Sequence, residues 1–159
     1  MSNETVLREH LLYLLRGGGA HLDFPTLLKD FPLSVINENI PGVPYTPWQL
    51  LEHIRIAQWD IVRFTIDAQH VSPEFPGGYW PAPEILADPQ RWHETMAAIY
   101  ADLKTMEELV ADQATDLLAT IPHGSGQTIL REALVLADHN AYHLGALVLL
   151  KRILHSQAE

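Results

Sequence analysis

The chain has 159 residues, with 20 acidic against 10 basic side chains, a formal charge of −10 and no cysteine. That length suits one domain over residues 1–159 with a continuous core, and the acidic balance argues against nucleic acid and anionic membranes, because nothing offsets their charge. Without cysteine the chain has no disulfide, no thiolate metal site and no thiol nucleophile of its own, so any thiol chemistry must use a supplied thiol.

Helical periodicity dominates, and no period-2 pattern competes with it. A first helix is expected over 4–16, with Leu7, Leu11, Leu14 and Leu15 on one face, and Gly17-Gly18-Gly19 permits the left-handed residue that ends it. A short helical turn is expected over 25–30. The second helix opens at Thr46-Pro47-Trp48-Gln49, where Thr46 caps, Pro47 has no N–H to leave unpaired and Gln49 completes a capping box. Leu50, Ile54, Ala57, Ile61, Phe64 and Ala68 then form one stripe, and His53 lies within it. Residues 71–87, rich in Pro, Gly and aromatics, read as an ordered loop whose aromatics, Tyr79 and Trp80 among them, either line a pocket or, as the preferred reading, simply pack their rings on the helices. Asp88-Pro89 starts a third helix, with Trp92, Met96, Ile99, Leu103, Met106 and Val110 spaced for burial.

A fourth helix is expected over 127–155. Ile129, Glu132, Leu136, His139, His143, Ala146, Leu147, Leu150 and Leu154 share one broad face of it. His139 and His143 are one turn apart, about 6 Å along the axis, so both imidazoles can lean towards one ion. Glu132, the other polar residue on that face, reads as a fourth ligand, a partner fixing an imidazole tautomer, a general base, or simply a carboxylate stabilised near a helix N-terminus. An imidazole on an apolar stripe needs a partner, and one metal ion shared by His53, His139 and His143 would serve all three. Of the other histidines, His70, His93, His123 and His155 fall at helix ends or expected surface positions, and His10 has no evident partner. His21, just after the glycine run, could reach the site, although a place outside it is the preferred reading.

The Trp48-Gln-Leu-Leu-Glu-His53 block with Ala-Gln-Trp-Asp following, and Leu-Ala-Asp-His139-Asn-Ala-Tyr-His143-Leu-Gly, resemble the two metal-ligand blocks of DinB/YfiT-like proteins, and the similarity extends over most of the chain. The resemblance implies an all-α, up-down-up-down four-helix bundle, frequently dimeric, that binds a divalent metal through one His on the second helix and two on the fourth. On that basis His53, His139 and His143 take the ligand roles. The family includes thiol-dependent transferases and a thiol-dependent isomerase, and also many members without known activity. Its name refers to induction by DNA damage, which is not evidence of DNA chemistry. Where relatives often have Gln after the Leu-Gly, this chain has Ala146, so no role for that side chain carries over.

Three neutral imidazoles leave a divalent ion its full charge and an exchangeable position. Two chemistries follow: a low-molecular-weight thiol activated at the ion attacks an electrophilic small molecule, or activated water hydrolyses an ester or amide with Glu132 as base. The resemblance favours the first, a transferase. A third reading is a structural or sensing module that binds metal and catalyses nothing. Zn, Ni, Fe and Cu all suit imidazole ligands. Arg55 and Arg131 are among the few cations available to an anionic thiol. The N-terminus lacks a basic region followed by an apolar run, and no stretch reads as the roughly 18–20 apolar residues of a membrane span, so a soluble, cytoplasmic protein is expected. The apolar first-helix face and the fourth helix beyond His143 suggest a homodimer, although one core can absorb them too.

Overall fold

The computed structural model describes residues 2–19 and 21–156. Among them are five α-helices: α1 (Asn3–Leu15), α2 (Phe24–Lys29), α3 (Pro47–Ile66), α4 (Pro89–Ala111) and α5 (Ile129–Ser156). Two single 3-10 turns, Leu33–Val35 and Gly77–Tyr79, complete the regular structure, and an isolated bridge joins Thr120 to Thr128 without forming a strand. The all-helical expectation therefore holds.

The helix starts follow the capping chemistry in the sequence. Ser2 accepts from the Thr5 N–H, Asp23 from Thr26, Asp88 from Arg91 and Thr128 from Arg131. At α3 the box is complete: Thr46 Oγ1 accepts from the Gln49 N–H at 3.2 Å while Gln49 Oε1 accepts from the Thr46 N–H at 2.9 Å, and Pro47 occupies the first turn. Gly17, at φ +72°, ends α1 as the glycine run implies. Ala68, counted in the α3 stripe, lies past the end of that helix and is exposed.

Helices α1 and α3 each pack against both α4 and α5. Their apolar faces meet in two clusters. One joins Trp48, Leu50, Leu51 and Ile54 of α3 to Trp92 and Ile99 of α4 and to Leu144, Leu147, Leu150 and Leu154 of α5. It also takes in α2 and the aperiodic residues Phe31, Ile36 and Ile40, which the sequence pattern does not reveal as core. The other joins Leu11 and Leu15 of α1 to Val62, Met106, Val110, Leu117, Ala133 and Leu136. Arg8, 2% exposed, locks α1 onto the end of α4 by donating to the carbonyls of Val110, Asp112 and Thr115, a cation at the electronegative end of a helix.

Between the clusters lies a polar layer. On α5 it holds His139, Asn140 and His143, and on α3 it holds Gln58 and Asp60, with His53 at its edge. Asn140 Nδ2 donates to Gln58 Oε1 at 2.7 Å, and Gln58, which is fully buried, passes its own amide to the Ile99 carbonyl of α4 at 2.6 Å. Three helices are thus cross-linked by two amides that have few alternative partners. One expectation needs correction. An 18-residue window within Ile129–His155 has a mean hydropathy of 1.3, so α5 is long and apolar enough to cross a membrane by length and composition. Its buried leucines belong to the two clusters described above, as in the core helix of a bundle.

Candidate metal centre

His53, His139 and His143 come together in the polar layer. Nε2 of His53 lies 3.1 Å from Nε2 of His143 and 3.2 Å from Nε2 of His139, and the donor atoms of all three residues lie within 4.8 Å of one another. Two imidazole nitrogens bound to one ion at roughly 2.0–2.1 Å stand about 2.9–3.4 Å apart for coordination angles between square and tetrahedral. Both separations from His53 match.

The hydrogen-bond pattern points the same way. His53 Nδ1 lies 2.8 Å from the main-chain oxygen of Tyr79, which can only accept, so the proton sits on Nδ1 and Nε2 presents a lone pair. That single lone pair faces two further imidazole nitrogens. The Nδ1 atoms of His139 and His143 are buried without a protein partner. Protons alone do not resolve the cluster, because burial holds His139 at a pKa of about 4, with His53 adding to the effect. Burial, with His139 and His53 next, holds His143 at about 4 as well. Burial also lowers His53, against the pull of the Tyr79 carbonyl. At neutral pH the three rings are uncharged, the state a metal ligand requires. The residues present therefore fit a divalent ion.

The loop before α4 braces this arrangement. Trp80 lies flat on His53, with ring centroids 4.0 Å apart and planes 4° from parallel, and Tyr45 stacks behind Trp80 at 5.4 Å. Trp80 thus packs on one of the three histidines. Tyr79 contributes through its backbone. Its phenol is turned to Asp60, donating to Oδ2 at 2.6 Å, while Asp60 Oδ1 accepts from His70 Nε2 at 2.7 Å. Burial and then the Asp60 carboxylate push the Tyr79 phenol up to about 12, so it stays a donor. The side chain of His70 is only 6% exposed, which corrects its reading as a surface residue. Asp60 and His70, ten residues apart across the end of α3, are the members of the site that sequence reasoning missed. Both carry polar side chains beside apolar neighbours, but nothing in their spacing says that they pair.

Glu132 is buried and ion-paired with Arg131. It stands two helical turns before His139, about 10 Å along the axis, and is not in the converging set. His21 is exposed, its Nδ1 close to the Leu22 carbonyl, and it too lies outside the set. Arg55 pairs with Glu52 at 2.7 Å, so both arginines considered for an anionic thiol are engaged on their own helices. Ala146 packs on the first apolar cluster.

The model of the DinB superfamily matches residues 20–147, a span that includes all three histidines. The chain belongs to the DinB superfamily. No curated protein and no solved structure matches it. Membership and geometry agree on the histidines: they lie close enough to hold one metal ion in a superfamily associated with metals.

Proposed function

We propose that this DinB-superfamily protein is a divalent-metal-dependent enzyme whose ion, Zn, Ni or Fe, is held by His53, His139 and His143. It would be a transferase that uses a low-molecular-weight thiol on a small electrophilic substrate. The observation that carries the reading is the convergence of three neutral imidazole nitrogens with no fourth His, Asp or Glu in the group among the described residues. Sites closed by four protein ligands are structural, whereas three imidazoles leave a position for a reactant. When bound, the ion would supply the positive charge that makes a thiol or a water nucleophilic at neutral pH.

The chain's own residues do the rest. The Tyr79 carbonyl orients His53, Trp80 covers one face of that ring and excludes water from it, and burial keeps His139 and His143 unprotonated. Tyr142, 74% exposed, lies edge-on to His143. Because the chain has no cysteine, the thiol must be supplied. Glu132, the base considered for hydrolysis, is two turns away and paired with Arg131, which leaves activated water without that assistance, and the family resemblance tips the preference to the thiol. In this reading the four long helices form an up-down-up-down bundle, acting in the cytoplasm as a homodimer and without nucleic acid or membrane partners.

The test is to load the protein with Zn, Ni or Fe(II) and assay glutathione or free cysteine against an aryl halide electrophile. Thiol consumption that requires metal and disappears in His143→Ala is expected. Metal-dependent hydrolysis of an activated ester without thiol turnover would replace this reading with the hydrolase. A metal-loaded protein inactive in both assays would favour the structural or sensing module.

A further inference from the structure

The two amides that cross-link α3, α4 and α5 also have a direction. Gln58, fully buried, donates through Nε2 to the Ile99 carbonyl at 2.6 Å, and because a carbonyl can only accept, this amide cannot be turned the other way. Its Oε1 therefore faces Asn140, whose Nδ2 donates to it at 2.7 Å, and that contact fixes the second amide in turn. Asn140 Oδ1 is left as an acceptor without a partner, on a residue only 6% exposed. The preceding residue of α5 is His139, whose Nδ1 is likewise buried and without a partner. Two orphaned atoms thus sit on adjacent residues, one an acceptor by orientation and the other able to carry a proton. Asn140 also acts on the ring as an acceptor does: burial lowers the pKa of His139 most, His53 adds to that, and Asn140 pulls it back up.

We infer that Asn140, held by Gln58, is the positioning residue of His139: its Oδ1 accepts from Nδ1–H and so leaves the Nε2 lone pair of that ring for the centre of the cluster. The other tautomer would set the Nδ1 lone pair against the amide oxygen. Nε2 of His139 then has no proton to give Nε2 of His53 across their 3.2 Å, and the donor to His53 is His143, at 3.1 Å. His53 takes its own orientation from the Tyr79 carbonyl. Two of the three rings are therefore fixed by different parts of the fold, one by the loop before α4 and one by a chain of amides that ends on α4 itself. Such an acceptor on the second ring nitrogen is what a ligand histidine ordinarily needs. The consequence at an ion rests on the metal-site reading above, whereas the tautomer does not and can be read without metal.

The experiment is nitrogen-15 NMR of the histidine rings in the metal-free full chain at neutral pH, with the His139 signals assigned by their loss from His139→Ala. A protonated Nδ1 and a bare Nε2 are expected in the wild type. In Asn140→Leu the proton should redistribute between the two nitrogens, and Asn140→Asp, which keeps an oxygen for His139, should return it to Nδ1. Zn affinity by chelator competition is the second readout, and Asn140→Leu should weaken it about tenfold. A wild-type proton on Nε2 would overturn the inference even if the Leu variant fails to fold. So would an unchanged tautomer or unchanged Zn affinity in folded Asn140→Leu, since a residue that only links helices would alter stability without moving that proton. A wild type that binds no Zn while His139 keeps its proton on Nδ1 would instead remove the metal reading and leave the positioning role standing.

Discussion

The two apolar clusters and the polar layer between them are built on the same helices and held by opposite means. In the clusters each side chain is stabilised by many weak, non-directional contacts, so the fold tolerates change in any one partner if volume is kept. In the layer each group depends on one or two specific partners: His53 on Tyr79 and Trp80, Tyr79 on Asp60, Asn140 on Gln58. The clusters give the helical fold its stability, and the layer spends some of that stability on three imidazoles that lack conventional partners for one another. A polar layer of this kind marks the functional part of the molecule because packing alone does not explain it.

The contrast can be broken from either side. Leu147→Ala, at a fully buried position of the first cluster, should destabilise the protein by about 2–5 kcal/mol in denaturant unfolding while leaving metal bound per folded chain unchanged. Loss of metal from the folded variant would mean that cluster and layer are not separable. Asp60→Asn makes the opposite change. It weakens the acceptor that pins Tyr79 and should lower metal affinity about tenfold in a competitive chelator titration, at the low end for removing an outer partner of a ligand histidine. Tyr79→Phe should reproduce that effect, since both act on the position of one carbonyl. Unaltered affinity in both variants would show that Trp80 alone holds His53.

A smaller effect concerns pH. His139 and His143 titrate near 4 in the folded chain against 6.5 for a free imidazole, so the unfolded chain takes up protons first. Metal-free protein should therefore keep this part of its stability above pH 6.5 and lose it as the pH falls towards 4, with a modest magnitude because both rings are only partly buried. Thermal melts of chelated wild type and His143→Asn across that window are the measurement. The variant should show the shallower decline, and an identical slope in both would contradict it.

Much of this was legible in the sequence. Thr46 with Gln49, Asp88 with Pro89 and the glycines after Arg16 are local chemistry, readable without the rest of the chain, and they place the helix boundaries to within a residue or two. The three histidines were legible because a polar group on an apolar stripe is itself a signal. What stayed hidden depends on contacts made in three dimensions. Phe31, Ile36 and Ile40 are core without periodicity, and the Tyr79 carbonyl acts through an atom every residue possesses. Asp60 and His70 meet only because the chain doubles back past the end of α3. Glu132 shares the histidines' helical face, but periodicity fixes direction around a helix and not height along it.

The central claim, that the three histidines share one ion, is tested most directly by elemental analysis of protein purified without added metal or an affinity tag. Wild type should be compared with His53→Ala, His139→Ala and His143→Ala, each checked for folding by circular dichroism. Near-stoichiometric metal in the wild type and its loss from every variant is the predicted result. Metal content that survives in all three folded variants, or a wild type that takes up neither Zn nor Ni on addition, would contradict it.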